Sequence, residues 1–228
     1  MKSILIILFA FIFVSCGDSG KKQENTDIIS ADTVKKEKQE PDAINTYGII
    51  YLYQTETTDI MVHFTINGSF TSHEQQYNKR WNVTVTPDGL IDNKYDYLSY
   101  ETELNKVQHP REGWVVKYNN LKKWFDKKLL NLGLNTKEAK QFKNYWLKKL
   151  KKANYYVINM IDSSFVNDNM KLTINPVPQT IIRLIFYFHP EARDIINLKE
   201  PAFMKKERIG YTVIELGGMI GLQERIIR

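Results

Sequence analysis

The most specific chemistry in this sequence belongs to Cys16, the only cysteine among 228 residues. Phe13, Val14 and Ser15 precede it, a run of small or apolar positions that fits a lipobox, in which the thiol is acylated and the cysteine becomes the new first residue. Upstream, Lys2 gives a short positive start, and residues 4–14 form an apolar run without a charge. Eleven residues fall short of the ~20 needed to cross a bilayer core, so residues 1–15 read as a lipoprotein signal peptide. An acyl chain on Cys16 implies the membrane as a partner and a place in the cell envelope outside the cytoplasm. In an organism with two membranes that means the outer membrane or the cell surface. With this cysteine acylated, the mature chain forms no internal disulfide and depends on its core.

Arg183 is the second residue whose setting demands chemistry. It interrupts an apolar strand-like stretch over residues 180–188, where an unpaired guanidinium would be costly to bury, so a carboxylate must meet it. Glu101 and Glu215 are the candidates. The simpler outcome is a structural ion pair that knits two strands; the other is a grip on an acidic or carbonyl ligand in a cleft lined by arginine and glutamate, which would define an envelope enzyme if a histidine converged there. His63, His73, His109 and His189 fall on separate elements without a ligand spacing such as H-x-x-x-H. Neither a G-x-S-x-G elbow nor a phosphate-binding glycine loop occurs, so no catalytic residue, metal or cofactor is implied. Aromatic side chains offer a third chemistry, a platform for sugar rings. Trp81, Trp124 and Trp146 lie on inward stripes, which leaves Tyr95, Tyr97 and Trp114 as ligand-facing candidates for a carbohydrate-binding module.

These residues must be held by a folded ectodomain over residues 47–218. Residues 16–46 carry the lipidated cysteine and a tether without an aromatic residue, too polar to offset its ordering entropy, and residues 219–228 read as a tail. Alternation predicts strands over 48–53, 60–66, 69–73, 81–86, 95–102 and 114–116, with Asn67-Gly68 as a two-residue hairpin turn. The period then changes to that of a helix. Asn119 or Asn120 caps a first helix that stops at Gly133, and Asn135 with Glu138 forms a capping box for a second, so residues 120–153 make a helical hairpin. Strands return over 155–161, 170–174, 180–188 and 211–216, the last ending at Gly217-Gly218. This order predicts an α+β fold of mainly antiparallel, sandwich-like sheets with an inserted basic αα-hairpin.

The charge of +6 is concentrated in that hairpin, where residues 121–152 hold eleven lysines against Asp126 and Glu138. A basic patch so confined, on a chain without a nucleic-acid fingerprint, points away from nucleic acid and towards an envelope polymer or a partner protein. Several stretches together resemble an uncharacterised family of exported bacterial proteins and lipoproteins that opens with an IYLYP-like strand. They are Ile50-Tyr51-Leu52-Tyr53, Trp81-Asn82-Val83 with Pro87-Asp88-Gly89, Tyr95-Asp96-Tyr97-Leu98, Tyr145-Trp146-Leu147, Ile182-Arg183 and Gly210-Tyr211-Thr212-Val213. Gln54 departs from the family's proline. The resemblance implies one ectodomain and brings no activity, so the expected function is a non-catalytic envelope binding or interaction module.

Overall fold

The computed structural model describes residues 44–72, 74–192 and 198–221, so Cys16, most of the expected tether and His73 lie outside the described residues. The described residues all belong to one unit, Gln39–Arg228.

Strand β1 (Ile44–Tyr53) is buried on both sides: Ile50 and Leu52 enter one core, Ile49 and Tyr51 another. A strand apolar on both faces must be covered on both faces. It lies antiparallel to β5 (Leu98–Leu104) on one edge and to β10 (Thr212–Ile220) on the other. Beyond β10 follow β9 (Thr180–Glu191) in parallel, then β7 (Tyr155–Met160) and β6 (Trp114–Lys117), both antiparallel; β3 (Gly68–Ser72) closes the opposite edge. This gives a seven-stranded sheet ordered β3-β5-β1-β10-β9-β7-β6. A second, three-stranded sheet contains β4 (Trp81–Val85), β2 (Thr58–Ile66) and β8 (Met170–Asn175), all antiparallel.

Helices α1 (Leu121–Asn131) and α2 (Thr136–Lys149) send Leu121, Phe125, Leu129, Phe142 and Trp146 onto one face of the large sheet, against Phe186, Phe188, Ile214 and Leu216. The three-stranded sheet covers the other face, where Ile60, Val62, Phe64 and Trp81 meet Leu98, Tyr100, Ile185 and Val213. Strand β9 serves both cores because its alternate residues point to opposite faces. The fold is α+β and antiparallel-rich, as expected. Asn135 caps α2 with the reciprocal Glu138 bond, and Gly133 takes φ 93 between the helices. Asn120 opens α1 without a side-chain cap, because a 3-10 turn over Tyr118–Asn120 leads directly into the helix.

Several boundaries differ from the sequence expectation. The first strand already includes Ile44, ahead of the expected start at Tyr47, since Ile44 is itself buried and pairs with Leu104. Asn67-Gly68 is not a hairpin turn. β2 pairs with β4 and β8 while β3 pairs with β5, so the chain steps here from one sheet to the other. Asn67 holds the step by donating from Nδ2 to Asn169 Oδ1 (2.8 Å), and Gly68, at φ 148, lies where an added Cβ would overlap the Glu103 carbonyl. The strand expected over 95–102 starts at Leu98, because Tyr95 closes a tight turn by pairing with Ile91. A short helix, α3 (Ser163–Asn169), was not expected. Gly217-Gly218 does not end the last strand, which runs on to Ile220, so the expected tail begins too early.

Candidate functional site

Parallel register places Glu215 of β10 directly beside Arg183 of β9, on the face between the two sheets. The Glu215 side chain is fully buried and that of Arg183 is 12 % exposed. Arg183 Nε donates to Glu215 Oε2, while its other nitrogens donate to the Met170 carbonyl (2.6 Å) and to Asn167 Oδ1 (3.1 Å). The Tyr100 hydroxyl donates to Glu215 Oε1 at 2.5 Å. Tyr100 reaches that carboxylate by crossing Gly48 and Gly217, which sit opposite each other in the register. A Cβ at Gly48 would overlap the Tyr100 ring. Burial, and then the Glu215 charge, push the Tyr100 phenol well above its ordinary value. Burial works against the charged form of Arg183, but the charge and hydrogen bond of Glu215 hold it above the usual arginine range. Both carboxylate oxygens are thus engaged by protein donors, an arrangement that neutralises charge and locks register.

Of the two expected partners, the geometry selects Glu215. Tyr100 points between the sheets, so its neighbour Glu101 points to the helix side, away from Arg183. There Glu101 adds to the field around Tyr47 and Tyr145, whose rings stack with centroids 3.6 Å apart. Burial and nearby charge raise both phenols.

A second buried carboxylate was missed. Glu138, also fully buried, accepts two hydrogen bonds from Arg208, 2.8 Å from Nη1 and 2.6 Å from Nη2, and one from the Tyr53 hydroxyl (2.7 Å). Its capping bond from the Asn135 N–H completes the cluster (2.9 Å). Arg208 also donates to the Gly133 carbonyl (2.8 Å), tying the stretch before β10 to the helical turn. Glu138 was legible as a cap. Arg208 sits in a polar run without periodicity, and nothing in its neighbours marks it as a partner.

The three nominated aromatics do not form a platform. Trp114 is buried, in an edge contact with Trp124 (5.3 Å) and beneath the Lys128 ammonium (4.9 Å). Tyr97 lies against Tyr51 and accepts from Gln141 (2.8 Å). Tyr95 packs on the side of the three-stranded sheet with Lys94 over its ring, away from both. The described histidines make separate contacts, although His109 and His189 both lie against Tyr187. His63 Nδ1 donates to the Lys79 carbonyl (2.7 Å), His109 meets the Tyr187 ring edge-on and His189 stacks near that same tyrosine. Among the described residues no three His, Asp or Glu groups gather as a metal would require.

Two surfaces among the described residues bear on a ligand, besides a cavity of about 560 Å³ lined by Met61, His63, Asn78, Lys79 and Arg80. One is a cleft of about 630 Å³ where β9 emerges beside the stretches 108–112 and 201–206, with Arg183, Arg111, Lys206 and His109 among its lining. The other is the outer side of the helical hairpin. Lys122, Lys128, Lys137 and Lys143 are paired with Asp126, Glu200 or Asp96. The other seven hairpin lysines, among them Lys123, Lys127, Lys140 and Lys148, are exposed with no carboxylate partner among the described residues. Compared with protein-family models, curated proteins and solved structures, the chain gives no match.

Proposed function

We propose that the protein is an exported, lipid-anchored ectodomain, of the kind its resemblance suggests, that acts as a non-catalytic envelope module docking through the basic face of α1 and α2. The observation that supports this reading is the surplus of unpaired lysines on the outer side of a hairpin whose inner side is wholly engaged in the core. Burial of Trp114 weighs against a carbohydrate platform built from the nominated aromatics. The commitment of Arg183 to Glu215 weighs against an Arg/Glu ligand grip. Near an anionic envelope surface each well-placed lysine contributes about 1 kcal/mol, reduced by salt.

Two measurements test the reading. Mass spectrometry of the native protein should find Cys16 acylated and first in the chain; an unmodified thiol removes the anchor. Co-sedimentation with vesicles containing phosphatidylglycerol should be strong at low salt, weak at high salt, and reduced in Lys123→Glu/Lys127→Glu. Binding indifferent to salt and to that double change would overturn the docking surface.

A further inference from the structure

Strand β9 is longer than the neighbour on one of its edges. Along β10 it is paired from Thr180 to Phe188, but β7 covers it only from Phe186 to Glu191. One more rung follows, the Ile161 N–H donating to the Ile185 carbonyl (2.8 Å), before the chain turns into α3. The direction of the main-chain groups follows from strict alternation. Thr180 donates to Tyr211 and Phe188 accepts from Gly221, so even-numbered residues face β10. Odd-numbered residues face the β7 side, and beyond the end of β7 those are Ile181 and Arg183. Of these, Arg183 lines the cleft described above, as does Lys206. Among the N–H and C=O groups of Ile181 and Arg183, only the Ile181 carbonyl has a partner among the described residues, Lys206 Nζ at 3.3 Å.

An open strand edge inside a cleft differs from one on the outer rim of a sheet. At about 3.3 Å per residue, residues 180–184 offer about 16 Å, enough for four or five residues of one extended chain. The stretches 108–112 and 201–206 wall the edge. Apolar contacts flank the edge, with Ile182, Leu184 and Phe203 in the lining. The charge at the rim leans positive: Arg111 and Lys206 are exposed and have no carboxylate partner among the described residues, Glu112 is neutralised by Lys199, and Asp162, bonded only by the neutral Gln108 amide, offsets one of the two cations. Arg183 adds backbone groups but no free charge, because Glu215 neutralises it.

We infer that this cleft receives an extended acidic peptide segment of a partner protein, which continues the sheet as a short strand beside β9. Main-chain bonds to Ile181 and Arg183 supply the affinity, Arg111 and Lys206 select carboxylates, and the Ile182, Leu184 and Phe203 side takes an apolar residue. The site is separate from the basic hairpin, so it stands or falls without that reading.

The test uses the full chain and two labelled peptides, Val-Asp-Val-Asp-Val and Val-Lys-Val-Lys-Val, followed by fluorescence anisotropy and by amide exchange of Ile181 and Arg183. The aspartate peptide should bind at least about tenfold more tightly, a difference near 1.4 kcal/mol. Arg111→Glu/Lys206→Glu, both at exposed positions, should reverse that preference. Binding should slow exchange of the Arg183 amide, and N-methylation of the peptide backbone should abolish it. Failure of the aspartate peptide to bind at millimolar concentration, a preference untouched by the charge reversal, or unchanged Arg183 exchange on binding overturns the inference.

Discussion

Arg183→Met isolates what the buried ion pair contributes. The substitution keeps an unbranched apolar stem but leaves the Glu215 carboxylate, wholly shielded from solvent, with the Tyr100 hydroxyl as its remaining donor. Stranding one partner of a buried pair costs ~3–5 kcal/mol. The surviving tyrosine bond to a charged acceptor puts the expected loss at the lower end, about 3 kcal/mol. For a domain of this size that lowers Tm by about 6–12 °C. Glu215→Gln should cost less, about 1–2 kcal/mol, because the amide oxygen still accepts from Tyr100 and Arg183 keeps Met170 and Asn167 as acceptors. Combining the two changes removes both charges, so the double variant should be more stable than the sum of the singles predicts, by about 1–3 kcal/mol. Urea unfolding followed by tryptophan fluorescence measures all three variants. If Glu215→Gln proves as costly as Arg183→Met, or if the double variant is simply additive, the pair is not the coupled unit described here.

Three further outcomes follow from the same packing. Arg208→Met should cost about 3 kcal/mol or less, because buried Glu138 keeps Tyr53 and Asn135 as donors, and limited proteolysis should then cut within residues 198–209, the stretch Arg208 ties to Gly133; uncut protein with wild-type stability would show that the tie is dispensable. Gly218→Ala should cost about 1–3 kcal/mol, because the new Cβ would sit 2.5 Å from Trp146 Cζ2 and 2.9 Å from Phe188 Cε2, both rigid rings; thermal melting checks it, and a variant as stable as the parent refutes the close approach. The phenols of Tyr47, Tyr51, Tyr53, Tyr100, Tyr145 and Tyr211 are all raised, in each case chiefly by burial. Folded values above the unfolded one mean stability intact below about pH 10 and lost as pH rises further. Phenolate absorbance and circular dichroism should therefore change together in an alkaline titration, and free titration of these tyrosines before unfolding would contradict their burial.

Much of this architecture was legible where a physical requirement was local. The apolar run in residues 180–188 announced a core strand, and Asn135 with Glu138 announced the cap of α2, because each pattern is satisfied within a few residues of chain. A lone arginine on an apolar face announced a buried partner, but choosing Glu215 over Glu101 required knowing that β9 and β10 run in parallel, a pairing no short-range rule specifies. What misled were signals with two physical causes. Asn67-Gly68 suits a tight turn and equally suits a backbone crowding Glu103, and the crossover between sheets uses the second property. Trp114 looked exposed because a four-residue strand gives alternation too little length to establish a face. Gly217-Gly218 reads as a stop, since glycine weakens strands. Here the missing side chains admit large groups from opposite faces: Gly218 lies under Trp146 on the helix side, while Gly217, with Gly48, lets Tyr100 cross to Glu215 between the sheets. A glycine pair flanked on both sides by buried apolar residues, in a chain this rich in aromatics, is better explained by a passage for ring systems through the middle of a sheet than by the end of one.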